Sequence, residues 1–215
     1  PNGITTSSSN GSVQCGGTRT YSKDADYTYK GVAPQVPGNG LPSSVRGLTI
    51  DNAAGVTLSS ADTVGVQLTL TAGTLQLAGN NLTLLGNVTA TGGALSPAGA
   101  TVRYYATTTG QNVLAADYKI LRFNNFGKVL APTGTIRISD IFDCGNANDH
   151  VVTGSTVEFN GTAPQLTSDF TPYENLIVNN PFGLTTTGAN ITVDGTLTLL
   201  NGTITTGADQ VTIGP

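Results

Sequence analysis

The sequence predicts an all-β protein, a right-handed parallel β-helix or β-solenoid with three diverged repeats. One observation is a recurring pattern of Leu, any residue, a β-former, Asn or Asp, and Asn. It occurs in LTIDNAAGV (48–56), LRFNNFGKV (121–129) and LIVNNPFGL (176–184). A second is a seven-residue spacing of apolar pairs in the first and last repeats. The third is composition: 28 Gly with no Met or Trp is typical of turn-rich β-structure.

The chain opens with an irregular arm, residues 1–26, which is rich in Ser and Gly and has no apolar period. The three repeats follow as residues 27–100, 101–155 and 156–215. Each begins with matched residues two apart: Tyr27 and Tyr29, Val102 and Tyr104, Val157 and Phe159. A period of two places both members on one face of a strand. We expect them to stack in the core rather than form a sugar-binding platform.

The seven-residue spacing predicts short strands on three faces. The apolar pairs start at Leu68, Leu75 and Leu82 in the first repeat, and at Leu197, Ile204 and Val211 in the last. Strands of four residues separated by three-residue corners give a turn of roughly 20 residues, with the polar residues between apolar ones pointing outward. Asn201-Gly202 is also a hairpin signal, so antiparallel β-sandwich units are the alternative.

The middle repeat is the least regular and carries three arginines. Its segment from Gln111 has helical spacing, although alignment with the third repeat favours a loop that leads into a strand. Arg103, Arg122 and Arg137 each lie between apolar residues on a predicted strand. On adjacent outward faces they would form a basic ladder able to bind an anionic polysaccharide. Solvated and loosely paired surface arginines are the alternative.

The segment DIFDCGNANDH, residues 140–150, concentrates the remaining candidate chemistry. Its candidate calcium ligands are Asp140, Asp143, Asn146, Asn148 and Asp149. Oxygen ligands suit calcium, but their spacing differs from the EF-hand pattern. Calcium is therefore the one candidate cofactor. Cys144 and the single His150 could serve as nucleophile and base, yet nothing in the sequence positions them. The sequence predicts no enzyme.

Cysteine usage, charge and hydropathy limit the class of protein. Cys15 and Cys144 form an even pair in a chain of extracellular composition, which predicts a disulfide, with two separate buried thiols as the alternative. A net charge of −4 with nine Lys plus Arg argues against nucleic-acid binding. The chain has no apolar run long enough to span a membrane as a helix.

Two segments carry a resemblance to known proteins. YKGVAPQVPGNGLPSSVRGLTIDNAAGVTLSS (29–60) and the stretch from VEFNGTAPQ (157–165) to the last strand resemble repeats of large secreted surface proteins of Bacteroidota. The resemblance covers residues 27–215. Such proteins are often type IX secretion substrates and adhesin-like β-solenoids, which implies an extracellular or cell-surface location. No catalytic residue carries over. Asp62-Thr63-Val64 resembles the short O-glycosylation acceptor of that phylum, so Thr63 is a candidate glycosylation site.

We therefore expect a non-catalytic extracellular structural or adhesive protein, as a subunit of a surface fibre or a fragment of a large adhesin. A carbohydrate-binding or carbohydrate-active β-helix protein, with surface polysaccharide as partner, is one alternative. An ice-binding protein is another, suggested by four Thr-x-Thr pairs: Thr69/Thr71, Thr89/Thr91, Thr196/Thr198 and Thr203/Thr205. The last strand-like segment lacks a cap. We expect it to be covered by identical subunits stacked end to end, or by a neighbouring solenoid of a larger chain.

Overall fold

The computed structural model describes residues 3–6, 11–14 and 17–214, which form strands, turns and loops without any helix. The chain divides into two compact units, residues 1–101 and 102–215. The first holds β1 (Asp26–Gly31), β2 (Ser44–Asn52), β3 (Val56–Thr57), β4 (Asp62–Gln76), β5 (Leu82–Leu84), β6 (Asn87–Ala90) and β7 (Gly93–Ser96).

The strands of the second unit begin at the boundary residue. They are β8 (Thr101–Tyr104), β9 (Gln111–Val113), β10 (Asp117–Phe123), β11 (Lys128–Leu130), β12 (Ile136–Asp143), β13 (Thr156–Phe159), β14 (Gln165–Leu166), β15 (Asn175–Asn179), β16 (Leu184–Thr185), β17 (Ile191–Val193), β18 (Leu197–Asn201), β19 (Ile204–Thr205) and β20 (Val211–Ile213). The segment from Gln111 is thus a short strand and a loop that lead into β10, rather than a helix.

Each unit is a parallel β-solenoid, which confirms the predicted fold class. In the first unit β1, β2, β4 and β5 pair in order, and β3, β6 and β7 also pair with β4. In the second, the longest path runs β8, β10, β12, β13, β15 and β18. Leu48 pairs with Leu68 and Leu68 with Val88, a period of 20 residues. Since the described strand pairings are parallel, the antiparallel sandwich alternative is wrong.

The seven-residue spacing marks the core of the first unit. All six members of its three apolar pairs are buried: Leu68, Leu70, Leu75, Leu77, Leu82 and Leu84. The corner between the first two pairs is made by Gly73, which has φ +72° and whose added Cβ would meet the carbonyl oxygen of Asn52. A side chain is excluded there by both backbone conformation and space. Sequence and structure therefore agree on three buried sides per turn.

Five of the six matched residues lie in the core, as predicted, whereas Tyr27 is half-buried and donates its hydroxyl to the carbonyl oxygen of Ser22. Tyr29, Tyr104 and Phe159 are buried. In the second unit an aromatic cluster surrounds Phe123, whose ring centroid lies 6.1 Å from that of Tyr104 and 5.4 Å from that of Phe142, both edge-on. Such contacts add to the free energy gained from burying the rings. These aromatic residues stabilise the solenoid and offer no platform to a sugar.

One corner recurs in all three repeats through an Asn. The side-chain Nδ2 of Asn52, Asn124 and Asn180 donates to a carbonyl oxygen of the preceding turn, at 2.8, 2.8 and 2.7 Å. Asn52 and Asn180 also accept the backbone N–H two residues later at 2.9 and 2.8 Å. These bonds satisfy backbone groups where the chain leaves the strand.

The N-terminal arm is irregular in its described part but packs on the first turn. Gly3 and Ile4 donate backbone hydrogen bonds to Val36 and Pro37, both at 2.8 Å. The buried Arg19 donates to the carbonyl oxygen of Thr5 at 2.8 Å. The described arm therefore covers part of the first unit.

Candidate functional site

The predicted basic ladder is divided by the strand register. Arg137 stands opposite Asp117 at the start of β10, whereas Arg122 stands opposite Asp143 at the end of β12. Five residues of strand separate these positions, or roughly 16 Å at the usual rise. Arg122 and Arg137 therefore do not stack on one another, and Arg103 lies half-buried on β8.

Each of these two arginines instead has an acidic neighbour on an adjacent turn. Arg122 Nη1 lies 2.8 Å from the carboxylate of Asp143. Arg137 contacts Asp117 at 3.1 Å and Glu158 at 2.9 Å. The side chain of Glu158 is only 9% exposed and also accepts a hydrogen bond from Asn179 at 2.8 Å. The positive charges are thus compensated by the solenoid itself.

The candidate calcium ligands surround the end of β12. Asp143 uses one oxygen for Arg122 and the other for the backbone N–H of Gly145, at 3.2 Å. Asp140, Asn146, Asn148 and Asp149 are exposed. Within the described ranges, no three His, Cys, Asp or Glu side chains come together as metal ligands would. The calcium site remains a prediction.

Cys144 is a buried free cysteine directly after β12. Its Sγ lies 3.1 Å from Ser168 Oγ, and its backbone N–H donates to the same oxygen at 3.2 Å. Burial raises the pKa of the thiol, which disfavours the reactive thiolate. Cys15 lies outside the described residues, so the bridge between the two cysteines stays a prediction.

His150 faces the aromatic core rather than Cys144. Its ring centroid lies 4.8 Å from that of Phe170, and its Nδ1 accepts the backbone N–H of Lys128 at 3.0 Å. Its Nε2 is buried without a hydrogen-bond partner. Burial lowers the pKa of His150, so the neutral ring is favoured. This environment is that of a core histidine.

Lys128 is a fully buried lysine whose burial the sequence pattern did not predict. The register aligns it with Val56 and Leu184, since each pairs with the Gln of its preceding turn. Both aligned residues are buried and apolar. Lys128 Nζ donates to Asn124 Oδ1 at 2.7 Å, and burial lowers its pKa to about 8. The middle repeat has one residue fewer before its corner residue Asn124 than the other repeats have before Asn52 and Asn180. As a result, a lysine occupies the apolar column.

Threonines stack on the outer face of the first unit. Thr28 pairs with Thr49, Thr49 with Thr69, and Thr69 with Thr89, which gives a column of four. Thr69 and Thr89 of the predicted pairs thus share a face, and Thr28 and Thr49, which were not predicted, extend the column. In the second unit Thr198 stands beside Ile177, while Thr205 pairs with Thr185 and Thr212 with Thr192, so threonines of the described strands stack there in pairs. Thr63 lies half-buried between Ser44 and Thr83.

A cleft of about 450 Å³ opens beside the end of β12. Its walls come from three successive turns of the second unit. The lining residues are Asp140, Ile141, Phe142, Asp143, Pro164, Gln165, Leu166, Ser168 and Thr187. Its volume lies in the range of about 300–1,000 Å³ typical of ligand sites.

The cleft exists because one turn leaves the sheet early. β13 pairs with β12 only along Ile136–Ile138, and the chain then departs after Phe159. The buried Gln165 fills part of the gap: its Nε2 donates to the carbonyl oxygens of Ile138 and Asp140, at 2.9 and 3.1 Å. Only Asp140 and Asp143 of the lining were singled out from the sequence. The GTAPQ segment, repeated as GVAPQ at 31–35, was the available signal for the departure.

The last described turn leaves core columns open. Leu199 continues the column of the buried Val178, and Ile213 continues that of the buried Val193. Yet Leu199 is 57% exposed and Ile213 is 59% exposed. In the described part of the chain, this turn therefore presents an apolar surface and strand edges without a paired neighbour.

Comparison of the chain with family models, with curated proteins and with solved structures finds no match. The described residues also include no helix with the length and apolarity needed to cross a membrane.

Proposed function

We propose that this chain is a non-catalytic structural or adhesive solenoid of the cell surface, which extends by end-to-end association. The observation that carries the proposal is the open last turn, where Leu199 and Ile213 continue buried columns but remain exposed. An unpaired strand edge that adjoins an apolar surface favours addition of a further parallel turn.

The partner proposed for this edge is a second copy of the chain. Burial of an exposed leucine or isoleucine contributes about 1.5–3 kcal/mol, so several columns together favour association. A neighbouring solenoid of a larger chain would satisfy the same edge by the same contacts. The low content of charged residues, 10%, and the resemblance to Bacteroidota surface repeats support the extracellular location.

Sedimentation velocity of the 215-residue chain across a concentration series tests the proposal. We expect concentration-dependent oligomers, and we expect Leu199→Lys to shift the distribution towards monomer because it places a charge on the open face. Leu85→Lys is the matched control, since Leu85 is also exposed but lies between β5 and β6 of the first unit. A monomer at all concentrations, or equal effects of both variants, would contradict it.

A further inference from the structure

Among the described residues, the cleft beside β12 contains a strand edge without a paired strand. On one side, β12 pairs with β10 as far as Asp143. On the other side, its pairing with β13 stops at Ile138. Gln165 then covers the carbonyl oxygens of Ile138 and Asp140. Within the described residues, no strand therefore forms backbone pairs with 141–143 on the cleft side, and such an edge is a template for an added strand.

The side chains around this edge are apolar on one wall and acidic on the rim. Ile141 is 41% exposed and Leu166 is 57% exposed, which is unusual for aliphatic residues that adjoin a core. Pro164 adds a further apolar surface. These residues would be covered by an aliphatic side chain of a ligand.

The free negative charge of the cleft belongs to Asp140. The carboxylate of Asp143 is already compensated by Arg122 at 2.8 Å. Asp140 is exposed and takes part in no ion pair among the described residues. Charge complementarity therefore favours a ligand with a positive group that reaches Asp140.

We propose that this cleft binds an extended peptide segment, which adds a short strand along 141–143 and places a basic side chain on Asp140. Backbone hydrogen bonds to the open edge would supply affinity, and the apolar wall with Asp140 would supply specificity. A sugar fits less well, because Phe142 is the only aromatic residue in the lining and it is buried.

Ser168 gives the cleft a rigid back wall. Its φ is +45°, in the left-handed region that residues other than glycine seldom adopt. The conformation is held by its hydroxyl, which accepts the backbone N–H of Cys144. The cleft thus has a formed wall before any ligand enters, which lowers the ordering cost of binding.

Amide chemical shifts of the full ¹⁵N-labelled chain provide the test. The probes are the acetylated and amidated peptides TVKVT and TVEVT, titrated to millimolar concentration. We expect TVKVT to shift the amides of residues 140–143 and 165–168 and to bind at least fivefold more tightly than TVEVT. Asp140→Asn should remove this preference, whereas Asp194→Asn, which changes an exposed aspartate on another turn, should keep it.

Several outcomes would overturn the proposal. They are equal binding of both peptides, shifts confined to other strands, and a preference unchanged in Asp140→Asn. A neutral hexasaccharide such as maltohexaose that shifts the same amides, while the peptides do not, would assign the cleft to carbohydrate instead. A dispersed spectrum of each variant establishes that the variant is folded. Leu166→Ala should weaken TVKVT binding several-fold, because it removes apolar contact without changing the charge of the cleft.

Discussion

Lys128 shows how a single residue can depart from its repeat. Its aligned partners Val56 and Leu184 are buried and apolar, whereas its own ammonium is buried with Asn124 Oδ1 as its hydrogen-bond acceptor. Burial without a carboxylate close enough to form an ion pair makes the charged form costly. The nearby Asp149 offsets this cost only in part, since the pKa still falls to about 8.

We predict that Lys128→Met stabilises the protein at pH 7 by about 1–2 kcal/mol, because methionine fills the apolar column without a charge. Lost hydrogen bonding to Asn124 Oδ1 limits the gain. Urea denaturation measures the change. Lys119→Met, on the exposed side of β10, is the control and should have little effect. A destabilised Lys128→Met would show that the lysine is required by the corner.

The same residue predicts a pH dependence. The pKa of Lys128 in the folded chain is about 8, below its ordinary value of 10.5. Between pH 8 and pH 10.5, the lysine is therefore protonated in the unfolded chain and largely deprotonated in the folded chain. The stability contribution of this group therefore rises with pH from about 8 to about 10.5. This component should be absent from Lys128→Met in denaturation curves across that range.

At the scale of strands, register decides which charges meet. Arg122 and Arg137 each lie opposite an acid of a neighbouring turn, and this arrangement depends on pairings between residues about 20 positions apart. The sequence shows that Arg122 and Arg137 lie on strands, but the bulge between Tyr118 and Ile120 shifts the register between them. The bulge places Arg122 opposite Asp143 rather than Phe142, and the sequence pattern does not show it.

We predict that Arg137→Met destabilises the second unit by about 1–3 kcal/mol. The variant removes the positive charge beside the buried carboxylate of Glu158 and leaves it with the hydrogen bond from Asn179. Arg122→Met is the matched control, since its partner Asp143 has a side chain that is 42% exposed and keeps contact with water. The control should cost less than about 1 kcal/mol. Thermal denaturation compares the two, and equal losses would refute the argument from burial.

The buried columns were predictable where the spacing of seven is unbroken. Leu68, Leu75 and Leu82 mark three sides of a turn because each turn returns to the same side after about 20 residues. The cleft was not predictable, since it depends on how far β12 continues after β13 has ended. The loss of one residue between Leu121 and Asn124 likewise moves Lys128 into an apolar column, which the sequence pattern alone does not show.

At the scale of the molecule, the two units show one packing rule, with apolar residues inside successive parallel turns and polar residues outside. In a solenoid, each turn contacts only its neighbours, so a turn with one side uncovered lacks half of its contacts. In the second unit this leaves Leu199 and Ile213 exposed on otherwise buried columns. Association through this surface is the central functional claim.

Amide hydrogen exchange in β18 and β20 tests this association, because it reports on the strand edge itself. Measured at low and high protein concentration, the amides of Leu197–Asn201 and Val211–Ile213 should exchange rapidly in the dilute chain and slowly in the concentrated one. The inner strands β15 and β17 should be protected at both concentrations. Slow exchange in β18 and β20 that is independent of concentration would contradict association through the open last turn.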